Sequence, residues 1–159
     1  MTEDIEKLRS DYRPVRVKVL FVGESPPKKN FFYCKRGPLY NAIEETFIEV
    51  FGKQQEFLEF FMDKGFWLTD FFKERGKKCA TDKEIEEGIE ILSKLIRENR
   101  KDIKFVITII KRIADHVKEA VKCSDVEITF RYLPFPMGKH KKFFIQKLKK
   151  TLKEIEAFC

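Results

Sequence analysis

Apolar and polar residues alternate along this chain in blocks whose spacing switches between strand-like and helix-like. Val17 and Val19 to Val22 form a short β-rich apolar run, the pattern of a strand covered on both faces. Gly23 ends that run where the backbone must turn or approach a ligand closely, and Pro26 and Pro27 stiffen the exit. From Pro38 to Phe51 apolar residues recur three and four apart, which predicts an amphipathic helix stopped by Gly52, and a second short helix is expected over 54–63. The aromatic and apolar run over 66–72 suits another strand, ending in a basic loop over 73–78. Thr81 with Glu84 three residues on reads as a capped helix start, and Ile85, Ile89, Leu92, Leu95 and Ile96 give that helix a buried stripe. The clearest strand covers 103–110, followed by a helix to about Val121. A fourth strand over 126–132 feeds Leu133-Pro134-Phe135-Pro136-Met137, and a closing helix of period near 3.6 spans 141–158. Residues 1–16 are polar, contain Pro14, and predict a short helix or arm.

Strands alternating with helices imply an α/β fold of three layers, α/β/α, with a four-stranded, mainly parallel central sheet and helices on both faces. Right-handed crossovers place every strand's carboxyl end on one edge, outside which ligands collect in open α/β sheets. A length of 159 residues with 43% hydrophobic content fits one domain with a real core, and the chain holds no internal repeat. No segment reads as a signal peptide or a bilayer span, so a cytoplasmic protein is expected. Cys34, Cys79, Cys123 and Cys159 stand singly, without the close pairs of zinc or iron–sulfur sites, and are expected to be reduced thiols with no bound metal.

Charge adds a partner to this picture. Lysine and arginine number 33 against 26 acidic residues, a net charge of +7, which favours a polyanion. Lys28, Lys29, Lys35 and Arg36 follow the first strand; Lys73, Arg75, Lys77 and Lys78 follow the second; Lys139, His140, Lys141 and Lys142 follow the fourth. Any one such run is commonly just a solvated face, but three on one sheet edge fit a phosphate backbone. The abundance of Lys, Glu, Ile and Phe also resembles chains from heat-loving organisms, which accounts for part of the charge.

These loops resemble the motifs of the uracil-DNA glycosylase superfamily. Gly23-Glu24-Ser25-Pro26-Pro27 is similar to its first motif, a glycine-led, proline-containing turn that positions the hydrolytic water. Phe32 looks like the aromatic that stacks on the flipped base, Leu68-Thr69-Asp70 like the strand ending in the group that reads the base edge, and Leu133-Pro134-Phe135-Pro136-Met137 like the last motif. The likeness in element order runs from about Val17 to the closing helix. Two positions depart from it: Ser25 stands where several branches carry a catalytic Asp, and Leu133 where they carry a His. The resemblance implies a uracil-DNA glycosylase-like fold, DNA as partner in single- or double-stranded form, and base excision without metal or organic cofactor; a monomer is expected, with nucleoid association open to it. It assigns catalysis to Glu24, Asp70 and Ser25, and substrate binding to Gly23, Pro26, Phe32, Tyr33, Asp70 and Pro134. DNA contacts would fall to Lys28, Lys29, Lys35, Arg36, Lys77, Lys78, Met137, Lys139, His140 and Lys141.

The residues themselves support such chemistry. An enzyme acting on a base extrudes it, stacks it and reads its edge, and Phe31, Phe32 and Tyr33 supply stacking surface. Cleaving the glycosidic bond builds positive charge on the sugar and negative charge on the base. A carboxylate from Glu24 or Asp70 suits the first, and backbone N–H groups of the Gly23 turn, or His140, suit the second. An ionised Asp70 only accepts hydrogen bonds, so facing the base it fits the donor-rich edges of cytosine or guanine better than uracil; facing the sugar, it is a general base. Met137 has the shape of a wedge that fills the stack after flipping. His116, alone on a helix, reads as structural. Two alternatives stand beside excision: a non-catalytic nucleic-acid-binding module on the same fold, and a hydrolase of free nucleosides, which needs no basic rim.

Overall fold

The computed structural model describes residues 4–74, 76–77 and 79–158. Four strands, β1 Val19–Gly23, β2 Phe66–Asp70, β3 Phe105–Ile109 and β4 Thr129–Leu133, form one sheet in the order β2-β1-β3-β4. Every pairing is parallel. Among the described residues six α-helices accompany it: α1 Ile5–Asp11, α2 Pro38–Phe51, α3 Phe57–Asp63, α4 Asp82–Glu98, α5 Ala114–Ser124 and α6 His140–Phe158. Helix α2 packs on α6, and α4 on α5, so the sheet is sandwiched in three layers. Consecutive parallel strands need a crossover, and helices supply each one.

Register fixes which side chains share a layer. Val19, Phe66 and Phe105 stand in one row and Phe21, Leu68 and Ile107 in the next on the same face, since side chains two apart point the same way. Under that face the Phe47 ring meets Phe57, Phe61 and Phe66 at 5.1 to 5.5 Å, which accounts for much of the phenylalanine in the chain. Each such ring taken out of water contributes roughly 1.5–3 kcal/mol. The opposite face carries Trp67, Thr69, Val106 and Thr108 toward α4 and α5.

Side chains cap part of each outer edge of the sheet. On β2 the Leu68 N–H donates to the Tyr33 hydroxyl at 2.7 Å, and that hydroxyl donates to the Leu68 carbonyl at 3.1 Å. On β4 Arg131 donates to the Phe130 carbonyl at 2.9 Å and the Lys147 ammonium to the Tyr132 carbonyl at 3.4 Å.

Several boundaries differ from the sequence pattern for local reasons. Strand β3 stops at Ile109 because Ile110 adopts φ +84°, which no strand residue holds. Helix α3 starts at Phe57 rather than 54, since the Gln54 amide folds back to the carbonyls of Phe51 and Gly52 at the end of α2. Strand β4 starts at Thr129, after Asp125 turns the end of α5 in a left-handed conformation. Thr81 and Glu84 form the expected reciprocal cap of α4. Among the described residues no helix is long and apolar enough to cross a membrane.

Candidate active site

A cavity of about 630 Å³ opens beyond the carboxyl ends of β1, β2 and β3. Its floor is made by the paired strand ends Gly23 and Asp70. A Cβ at residue 23 would lie 2.7 Å from Asp70 Oδ1, so glycine is what lets that carboxyl group seat against the backbone. The other oxygen, Oδ2, accepts from the Arg9 guanidinium at 2.9 Å. Arg9 is only 2% exposed, pairs also with Glu6, and lies over the Phe31 ring at 5.7 Å. It is delivered by α1, whose start is capped by Asp4 and whose Arg9 carbonyl accepts from the Trp67 indole at 2.9 Å. Burial pushes the Asp70 carboxyl up to about 6, overcoming the opposing pull of Arg9 and Lys73.

Glu24 follows directly on β1 and is held by a two-pronged pair with Arg112: Nε donates to Oε2 at 2.9 Å and a terminal nitrogen to Oε1 at 2.6 Å. Glu24 is buried, whereas the Arg112 side chain is 65% exposed at the cavity mouth. Arg112 arrives on a short 3₁₀ turn, Lys111–Ile113, launched by Ile110. A positive φ at a β-branched residue costs of order 1–3 kcal/mol, and here it aims Arg112 at Glu24. Ser25 lines the same cavity and donates to the Lys77 carbonyl at 3.1 Å, while Gly76 N–H donates to the Pro26 carbonyl at 2.8 Å. The first and second loops are thereby stitched together.

The apolar wall comes from Phe31, Phe32, Leu39 and Phe135, with Met137 at the rim, 60% exposed. Phe32 touches the cavity with one side, the rest of its ring packing against Tyr33, Tyr40 and Phe61. Tyr33 lies outside the lining: its hydroxyl is bound to Leu68 and its ring stacks on Tyr12 at 5.4 Å, so it serves the fold rather than the cavity. Pro26 and Pro134 shape their loops without lining the cavity. Leu133 is buried, its carbonyl accepting from Ile110 N–H at 3.3 Å. His116 stacks on Phe71 at 5.9 Å, away from the cavity.

The basic residues divide. Lys29 and Lys77 line the cavity, and Lys28, Arg36, Lys139 and His140 are exposed nearby in sequence. Lys77 is engaged by Glu74 and Glu84, Lys35 by Glu56 and Lys141 by Glu45. Among the described residues no ion pair involves Lys29, Arg36 or Lys139. Arg75 and Lys78 lie outside the described residues.

Sequence reasoning missed Arg9, Arg112 and Phe135. Arg112 was within reach: Lys111-Arg112 follows the clearest strand directly, and the rule that carboxyl ends share an edge applied to that strand too. Arg9 carries no such signal, because a single arginine on a short polar helix reads as exposed. No group of three or more metal-ligating side chains occurs among the described residues, and Cys34, Cys79 and Cys123 form no disulfide with one another. The chain matches no protein-family model and no curated protein sequence.

Proposed function

We propose that the protein is a nucleic-acid base N-glycosylase, hydrolysing the glycosidic bond of a deaminated or mismatched base flipped into the 630 Å³ cavity. The observation that carries this reading is the meeting of Asp70, Glu24 and an aromatic wall on one cavity floor, beside a rim of exposed lysines. A carboxyl group with a pKa of about 6 is about nine-tenths ionised at pH 7, yet remains basic enough to hold and deprotonate a water. Asp70 takes that role and faces the positive charge that develops on the sugar. Arg112 keeps the Glu24 carboxylate oriented, and its exposed face is left for the phosphate flanking the flipped nucleotide. Phe31 and Phe135 stack on the base, and Met137 fills the vacated step.

The test is a panel of labelled oligonucleotides, each with one uracil, hypoxanthine, xanthine or mismatched base, read after alkaline treatment at elevated temperature. The parent is expected to cleave one class, with Asp70→Asn about 100-fold slower or worse. If Asp70 reads the base instead, Asp70→Asn changes base preference. Salt-sensitive DNA binding without product would move the protein to a binding module, a reading favoured by one observation: Leu133 leaves a buried apolar side chain where the resembling motif carries its His. Cleavage of free nucleosides as fast as of oligonucleotides would favour the nucleoside hydrolase.

A further inference from the structure

On the other side of β2 lies a second cavity of about 410 Å³, walled by α1, the outer part of β2 and α4. We infer that it binds a small phosphate-class oxyanion. Its charged lining is unbalanced: Arg9, Arg13, Lys73 and Lys94 face it against the carboxylates of Glu6 and Glu98. Glu6 is already taken by Arg9. Among the described residues no ion pair holds Arg13 or Lys94.

Two further observations point to a missing anion. Arg9 Nε is buried without a hydrogen-bond partner, although the side chain is 2% exposed. Such an orphaned charged donor is costly unless an acceptor comes within reach. The Lys73 ammonium, donating to Thr69 at 3.4 Å, has its pKa drawn down by burial and by the like charge of Arg9. The site is also partly ordered in advance. The Arg13 guanidinium sits 4.9 Å over the Trp67 ring, so little side-chain freedom is lost on binding. A tetrahedral oxyanion offers acceptors in several directions at once, as donors converging from α1, β2 and α4 require, and the neighbouring Ile91, 53% exposed, suits an organic substituent on a phosphate ester.

Arg9 reaches around the sheet edge, with one terminal nitrogen on Asp70 in the first cavity and its stem in the second. Asp70 and the anion are therefore like charges drawing on one guanidinium through different nitrogens, each weakening the hold of the other. The inference does not rest on the glycosylase reading, because its measurement is binding rather than turnover.

Trp67 is the chain's only tryptophan and lines this cavity, so its fluorescence reports on occupancy. Titration with inorganic phosphate, ionic strength held constant with potassium chloride, is expected to give a saturable change. Arg13→Gln and Lys94→Gln, both at exposed positions, should each weaken binding about tenfold, while Lys153→Gln, at an exposed position of α6 outside this cavity, leaves it unchanged. Asp70→Asn should tighten it severalfold by removing the like charge that shares Arg9. A 5′-phosphorylated dinucleotide against its unphosphorylated form distinguishes a nucleic-acid end from free phosphate as the source. A change reproduced by chloride alone, or one that survives both Arg13→Gln and Lys94→Gln, overturns the site; unchanged affinity in Asp70→Asn overturns the link through Arg9.

Discussion

Under the proposed mechanism Asp70 trades stability against reactivity within a single carboxyl group. Its folded pKa of about 6 lies above the ordinary 3.8, so the folded state binds the proton more tightly than the unfolded chain. Stability from this group is fully present below pH 3.8 and is lost as pH rises through about 6. A shift of about two units corresponds to about 3 kcal/mol. The difference in unfolding free energy between parent and Asp70→Asn, followed by urea denaturation from pH 3.5 to 7, should drift by about that amount against the parent, on top of a constant offset from the loss of the buried Asp70–Arg9 pair. A difference flat in pH would show that Asp70 titrates ordinarily. Turnover should run the other way, rising with pH through about 6 as the general base ionises. None of this is written in the residue type; Asp70 was visible as a candidate because it ends an apolar run at a place that resembles a glycosylase motif, and its environment is set by Gly23, β2 and a distant Arg9.

At the level of elements, the cleanest reading came where punctuation residues stand at both ends. Gly37, Pro38 and Gly52 bound α2, and the helix occupies the expected residues. The Thr81–Glu84 box marks α4 equally well, and Thr81→Ala should lower stability by about 1 kcal/mol in thermal or urea unfolding. The two 3₁₀ turns, Phe32–Cys34 and Lys111–Ile113, were illegible, since three residues are too few to show a period. Both turned out to matter, the first delivering Tyr33 to the sheet edge and the second delivering Arg112 to Glu24. Tyr33→Phe removes the one oxygen that serves both backbone groups of Leu68. It should cost about 2 kcal/mol and expose the Leu68 amide to hydrogen exchange, while leaving oligonucleotide affinity intact. Unchanged protection of that amide would mean that β2 is held by its neighbours alone.

Across the whole molecule, alternating strands and helices were enough to give the layers and the common edge, because topology follows from element order when all strands are parallel. Charge was harder to read, since lysines that look alike in sequence divide into those held by Glu45, Glu56 and Glu84 and those in no ion pair among the described residues, which the proposed function leaves for DNA. Lys29→Gln, Arg36→Gln and Lys139→Gln should therefore each lower the salt dependence of DNA binding by about 0.9 in the log–log slope, and Lys35→Gln and Lys141→Gln by less. Equal effects of all five would make the rim a diffuse field rather than a set of contacts. The capped edge groups bear on behaviour at high protein concentration. A strand edge with open carbonyls invites a second chain to add itself, and on β4 those carbonyls are taken by Arg131 and Lys147. Replacing both by alanine should leave the native fold in place while making sedimentation grow more steeply with protein concentration, so that two positively charged side chains act as the barrier to a ribbon of copies joined edge to edge.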